Sequence, residues 1–280
     1  MTAGIVLAGG RSARMGTPKA ALEWHGSTLL RRTTGLLART VDGPVVVVRA
    51  PGQQLPEVGP SVEVVDDPAE GLGPLQGLAA GLAAVAGHAD VAFVCSTDLP
   101  FLHPAFVRRV LAAVDEQADV VLPRARGYPQ PLAAAYRTAL APLVDKLVAA
   151  ERLRPAFLFE ETQVTRLDDA ALLAEPVLAA LDPQLDSVCN INEPADYETA
   201  RARPAPEVTV QRYGALATGD GHRGPRSVRA ATLAAAAAAA DLALDRHVVA
   251  ALNGDQISRD AELPLATGDT VAFLSADAGG

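Results

Sequence analysis

The sequence predicts an α/β fold: an open, mostly parallel sheet with helices on both faces, followed by a small C-terminal α+β domain. Three observations predict it. Short β-branched runs alternate with stretches of helical spacing through the first two-thirds of the chain. Those runs stop at glycine or aspartate, at the strand ends where open sheets bind ligands. After the proline-rich segment Arg201–Glu207 the rhythm changes.

The elements follow in order. Ile5–Ala8 is a short apolar run that halts at Gly9-Gly10. Ser27–Thr40 has helical spacing, with Leu29, Leu30, Leu36 and Leu37 apolar. Val45–Val48 reads as a buried parallel strand and Val62–Val65 as another, ending at Asp66-Asp67-Pro68. Leu75–Val85 reads as a helix, and Val91–Cys95 as a strand ending in Ser96-Thr97-Asp98. Pro104–Gln117 reads as a helix and Val120–Pro123 as a strand. Past the break, Val208–Tyr213 alternates as a strand and Gly214–Gly224 is loop-like. An alanine-dominated helix runs from Val228 to Leu244. Val248–Leu252, the turn Asn253-Gly254 and the strand Thr270–Leu274 complete an order ββαβ…β. The expected domains are residues 1–203 and 207–280.

Composition excludes several functions. The chain has 280 residues, with 24 Lys+Arg against 33 Asp+Glu and a formal net charge of -9. Such an acidic chain is a poor non-specific nucleic-acid binder, so an anionic ligand must be held by a local site. Two cysteines, Cys95 and Cys189, exclude a disulfide scaffold and a cysteine-built zinc site, and fit a reducing cytoplasm. No apolar run has the length of a membrane span, and no signal-peptide pattern is present.

The string Leu7-Ala8-Gly9-Gly10-Arg11-Ser12-Ala13-Arg14-Met15-Gly16, with Lys19 beyond it, carries the most chemistry. A strand runs into two glycines that can accept positive φ and let backbone amides approach a phosphate. Arg14 and Lys19 supply the positive charge a triphosphate requires. The spacing matches neither the dinucleotide fingerprint nor the P-loop. His25, His88 and His103 show no pairing, and scattered surface histidines explain them. No general base is expected.

This string resembles the molybdenum cofactor guanylyltransferases. The resemblance continues at Asp66-Asp67, at Gly73-Pro74-Leu75-Gln76-Gly77 and at Thr97-Asp98-Leu99-Pro100-Phe101-Leu102. It also covers Pro129-Gln130-Pro131-Leu132 and Asn190-Ile191-Asn192-Glu193-Pro194, so that the motifs span roughly residues 3–198. It implies a Rossmann-like open, mostly parallel sheet of nucleotidyltransferase type, and transfer of GMP from GTP to molybdopterin with release of pyrophosphate. By this resemblance Leu7, Ala8 and Gly9 contact guanine and ribose through their backbone, and Gly10, Arg14 and Lys19 hold the triphosphate. Asp67 contacts the nucleotide, and Asp98 binds Mg²⁺. Asn190 and Asn192 line the pterin or metal side, and Pro129-Gln130-Pro131 forms a loop at the acceptor. Asp98 also lies between a strand and a helix, where it could serve as an N-cap without metal, so the metal role rests on the resemblance. The two asparagines are as well placed to cap a helix around Pro194–Ala202. Two positions depart from the family pattern. Pro18 stands where Asp often precedes the lysine, and Val48-Arg49 replaces a polar residue after the second strand.

The chain ends in Gly279-Gly280, preceded by Leu252-Asn253-Gly254 and Leu265–Leu274. This segment resembles the ubiquitin-like sulfur carriers of molybdopterin synthase, which implies a β-grasp fold over roughly Val208–Gly280. The Gly280 carboxylate would then be adenylated by an ATP-dependent activating enzyme, converted to a thiocarboxylate, and used by the synthase large subunit. Ser275-Ala276-Asp277-Ala278 departs from the segment that usually precedes the glycines. Two alternatives remain: a cytidylyltransferase or sugar-phosphate nucleotidyltransferase on the same fold, and a non-catalytic nucleotide-binding scaffold joined to a sulfur carrier.

Overall fold

The computed structural model describes all residues except 10–14, 69–70, 72, 218–223 and 277–280. The described residues form two compact units, Met1–Leu22 with Thr28–Tyr197, and Glu23–Ser27 with Glu198–Gly280.

The first unit opens with β1 (Thr2–Leu7), a fully apolar strand after its first residue. A short hairpin, β2 (Glu23–Trp24) and β3 (Ser27–Thr28), of which Glu23–Ser27 belong to the second unit, precedes α1 (Leu29–Ala38), whose first turn is capped by the Thr28 hydroxyl accepting from the Arg31 amide at 3.1 Å. Then come β4 (Val45–Arg49), β5 (Val62–Asp66), α2 (Pro74–Val85), β6 (Val91–Ser96) and α3 (Pro104–Leu111). They are followed by β7 (Val120–Ala125), β8 (Tyr128–Pro129), β9 (Ala133–Arg137) and α4 (Ala141–Ala149). Next are α5 (Pro155–Glu160), β10 (Val164–Asp168), α6 (Asp169–Leu173) and α7 (Pro176–Leu181). The division between the units falls within α8 (Pro194–Arg201).

The large sheet has the order β10-β7-β9-β6-β1-β4-β5, with β8 paired to β7. β6, β1, β4 and β5 are mutually parallel, as are β7 and β10, while β9 runs antiparallel to β6 and β7. The sheet is therefore the mostly parallel α/β sheet that the alternating pattern predicts. Its central strands alternate between two cores. Val6, Val47, Phe93 and Cys95 pack with α1 and α3 on one face. Ile5, Val48 and Val94 pack with α2 and α4 on the other. Burial of both faces is why these strands read as continuous β-branched runs.

Two helices are shorter than their sequence pattern. α3 stops at Leu111 because Asp115 Oδ1 accepts from the amides of Gln117 and Ala118 at 2.9 and 2.8 Å, and this local turn competes with the helix. The alanine helix is shorter still.

The second unit contains β11 (Glu207–Arg212), β12 (Arg226–Arg229), α9 (Leu233–Ala239), β13 (Val248–Leu252), β14 (Gln256–Ser258) and β15 (Thr270–Ser275). Their order in the sheet is β12-β11-β15-β13-β14. β11 and β15 are parallel neighbours, and the other pairs are antiparallel. Val228 belongs to β12, opposite Val208, and not to the helix expected from Val228 to Leu244. Thr232 begins the helix by accepting from the Ala235 amide at 3.2 Å. Asp241, at φ 51, ends it. Leu233, Ala236 and Ala237 bury the helix against Val208, Val210 and Phe273. Among the described residues, no helix is long and apolar enough to cross a membrane.

Candidate functional site

The strand order of the large sheet reverses beside β1, because the chain adds β4 on one side of it and returns to add β6 on the other. Open sheets bind ligands at this switch point, outside the carboxyl ends of the strands. A cavity of about 1010 Å³ lies there, within the first unit. Its wall is built from the ends of β1 (Leu7, Ala8, Gly9), the loop after β4 (Ala50–Gln53), Asp67 after β5, the first turn of α2, and Ser96–Asp98 after β6.

Lys19 comes to this wall from a single 3-10 turn, Lys19–Ala21, that follows Pro18. Its Nζ lies 3.2 Å from Asp98 Oδ2, with the two side chains 20% and 17% exposed. Ser96 Oγ donates to the other Asp98 oxygen. The sequence leaves an N-cap role open for Asp98, but α3 is capped by His103, whose Nδ1 accepts from the Ala105 amide at 3.1 Å. Asp98 is thus available to the cavity. His103 is buried, contrary to the expectation of a surface histidine, while His88 is exposed.

Gly9 does not need a positive φ, as the sequence suggested. A Cβ there would lie 3.2 Å from the Ala50 nitrogen, so the glycine permits close approach of the loop after β4. Gly77 is different, since a Cβ there would meet Leu7 Cδ2 at 3.4 Å and Asp67 Oδ2 at 3.7 Å, ordinary contact distances. Positive φ occurs instead at Gly16 (φ 68), Gly52 (φ 70), Gly71 (φ 90) and Gly73 (φ 82) on the cavity wall, the last preceding Pro74 at the start of α2. Arg49, where the family pattern expects a polar contact, is turned to Asp66 with Nε–Oδ1 at 2.6 Å.

Asn190 and Asn192 are exposed and stand outside the cavity's wall. They are nevertheless tied to it, because the Ile191 amide donates to the Asp98 carbonyl at 2.9 Å. Ahead of α8 the capping chemistry belongs to Asp196, whose Oδ2 accepts from the Asn192 and Glu193 amides, both at 2.9 Å. These amides hold its carboxyl below the usual range, and the Lys19 charge adds to the effect. Pro129 lies in β8, and the Gln130 amide donates to the Pro123 carbonyl at 2.8 Å, so this segment is a tight hairpin return. Gly10, Arg14, Gly279 and Gly280 lie outside the described residues.

The site brings one ammonium, two carboxylates, the hydroxyls of Thr17, Ser96 and Thr97, and strand-end amides to a single cavity. Among the described residues, no three His, Cys, Asp or Glu side chains gather as a cation cage. Mg²⁺ needs none, because it is commonly held by one or two carboxylates plus substrate phosphates. Asp98 carries hard oxygens that would suit such an arrangement. Cys95 does not compete as a nucleophile, since complete burial, with Asp98 nearby, pushes its thiol pKa up. Sequence reasoning missed Gln53, whose side chain joins β1 to the loop after β4.

Similarity to known proteins follows the same part of the chain. A Mycobacterium avium protein named "Probable molybdenum cofactor guanylyltransferase" is 42% identical over 178 residues, covering 61% of this chain and 88% of the relative. The solved structure of molybdopterin-guanine dinucleotide biosynthesis protein A from Archaeoglobus fulgidus covers 72% of this chain and 97% of its own, with a TM-score of 0.55 at 21% identity. That of 2-C-methyl-D-erythritol 4-phosphate cytidylyltransferase from Thermus thermophilus covers 72% and 98%, with a TM-score of 0.50 at 20% identity. At these identities the two structures support the fold alone. Residues 4–164 match the pattern of the MobA-like NTP transferase domain, and by that match over more than half its length the chain belongs to this family.

Proposed function

We propose that the first unit transfers GMP from GTP to molybdopterin and releases pyrophosphate. The observation that carries this reading is the Lys19–Asp98 pair at 3.2 Å, on the wall of a switch-point cavity in a chain of this family. A phosphate oxygen of the acceptor attacks the α-phosphorus of GTP. The bond from that phosphorus to the bridging oxygen breaks, and pyrophosphate leaves with the electron pair. Positioning and charge stabilisation suffice for such a step, without a covalent intermediate. Gly10, Arg14 and Lys19 hold the triphosphate, while the Leu7–Gly9 backbone and Asp67 hold the nucleoside. Asp98 would hold Mg²⁺, which when bound would supply neutralisation of the phosphates' charge. Asn190 and Asn192 serve the acceptor side.

The same reading extends to residues 207–280 as a β-grasp sulfur carrier, thiocarboxylated at Gly280 and used by a molybdopterin synthase large subunit. Its support is the sheet order, with the first and last strands parallel and central and one helix packed on a single face. The guanine assignment is tested by side-by-side turnover of GTP and CTP with molybdopterin. Preference for GTP is expected. Preference for CTP overturns the guanine assignment, and absence of transfer with either makes this unit a scaffold.

A further inference from the structure

β1 and β4 are paired in parallel up to Leu7 and Val48. The Ala8 amide donates to the Val48 carbonyl at 2.8 Å. A parallel ladder would next join the Ala50 amide to the Ala8 carbonyl. Here a side chain occupies that link. The Ala50 amide donates to Gln53 Oε1 at 3.0 Å, and Gln53 Nε2 donates to the Ala8 carbonyl at 3.0 Å. The carboxamide is a one-residue-wide spacer that continues the ladder while parting its strands.

The spacer is fixed by its own turn. The Gln53 amide donates to the Ala50 carbonyl at 3.0 Å, and Gly52 supplies φ 70 within the turn. Arg49 Nη1 donates to the Gln53 carbonyl at 3.3 Å. A carboxamide has two N–H groups and two acceptor positions on its oxygen. The brace uses one of each, and among the described residues one of each is left.

Charge is distributed unequally around the cavity. Lys19 stands with Asp98 on the β6 side, whereas on the β4 side Ala8, Ala50 and Pro51 are uncharged and the charge beyond them is the Asp67 carboxylate after β5. The side with the ammonium suits phosphates, and the β4 side, which among the described residues has no cation on the wall, suits a flat heterocycle. We propose that Gln53 is the base-selecting positioning residue of this cavity: by holding the Ala8 carbonyl and the Ala50 amide one carboxamide apart, it sets the β4 end wide enough for a purine. This rests on the nucleotide reading of the cavity.

The test is calorimetric titration of the full chain with GTP and with CTP in Mg²⁺, alongside steady-state transfer, for the unsubstituted protein, Gln53→Ala and Gln53→Glu. Gln53→Ala lets the Ala50 amide close directly onto Ala8 and narrows the opening. Gln53→Glu keeps the length and the acceptor but sets a carboxylate oxygen against the Ala8 carbonyl. Each variant should weaken GTP by about tenfold or more, the scale of a hydrogen bond or two. CTP should weaken by less than about threefold, and KM for GTP should rise more than kcat falls. Equal weakening of both nucleotides, or an unchanged GTP preference, overturns the proposal and leaves Gln53 a structural brace. If Gln53→Ala does not fold, Gln53→Glu alone decides by the same ratio. Uptake of neither nucleotide by the unsubstituted protein overturns the nucleotide reading itself, a result distinct from loss of selectivity alone.

Discussion

Lys19 and Asp98 neutralise each other at 3.2 Å across the cavity wall. In the proposed reaction both charges acquire new partners, the lysine a phosphate and the aspartate a metal ion. The pair therefore keeps an ammonium and a carboxylate paired until substrate arrives, which limits the cost of holding either one partly buried. Lys19→Ala removes a cation that acts where charge develops, so kcat should fall by about 10²–10³-fold, the usual effect of losing one such group. Asp98→Asn keeps the shape and the Ser96 contact but not the charge. Its rate should lose its dependence on Mg²⁺, and a metal titration that matches the unsubstituted protein would remove the ligand role. The positions of Asp98, Asp67 and Gly9 at the cavity were legible because glycine and aspartate there end apolar strand runs, whereas Lys19 reaches it from the turn after Pro18 and was legible only through the motif it completes. Gln53 was not, because its importance depends on the turn Ala50–Gln53 folding its side chain back onto Ala8. His103 was misread as a surface residue, although a residue just before Pro104 at the start of a helix is an N-cap position.

At the scale of the element, α2 is held unusually close to the sheet. A Cβ on Gly81 would lie 2.5 Å from Ile5 Cγ2 and 3.2 Å from Val48 Cγ2, both on buried strands with no room to give. Gly81→Ala gains about 1 kcal/mol of helix propensity but must move the helix or the strand, which costs about 1–3 kcal/mol. At 2.5 Å the overpacking dominates, so chemical denaturation should show a net loss of about 1–2 kcal/mol. Nucleotide affinity should fall with it, because the first turn of α2 lines the cavity. A stability gain would mean that the helix yields freely. The central strands were legible from their β-branched runs. β9 was not, because Ala133-Ala134-Ala135 carries little strand signal and is held by its neighbours β6 and β7, with Tyr136 buried beneath them. The alanine helix was overextended for a related reason. A run of one residue type has no periodicity to mark its ends, and only Thr232 and the left-handed Asp241 do so.

At the scale of the whole molecule, an acidic chain of net charge -9 gathers its useful cation locally, and two units each carry a core of their own. The first unit's chemistry needs side chains at strand ends. The chemistry proposed for the second needs only a terminal carboxylate on a backbone bare enough to enter another enzyme's active site. The two proposals therefore depend on different atoms and are separable by mutation. Removing Gly280 should abolish the oxygen-for-sulfur mass change of the intact chain after incubation with an activating enzyme, ATP and a sulfur donor. It should leave GMP transfer unchanged, since no group at the switch-point cavity is touched. Lys19→Ala should do the reverse, stopping transfer while sulfur loading proceeds. Sulfur loading of the truncated chain would rule out the carrier role.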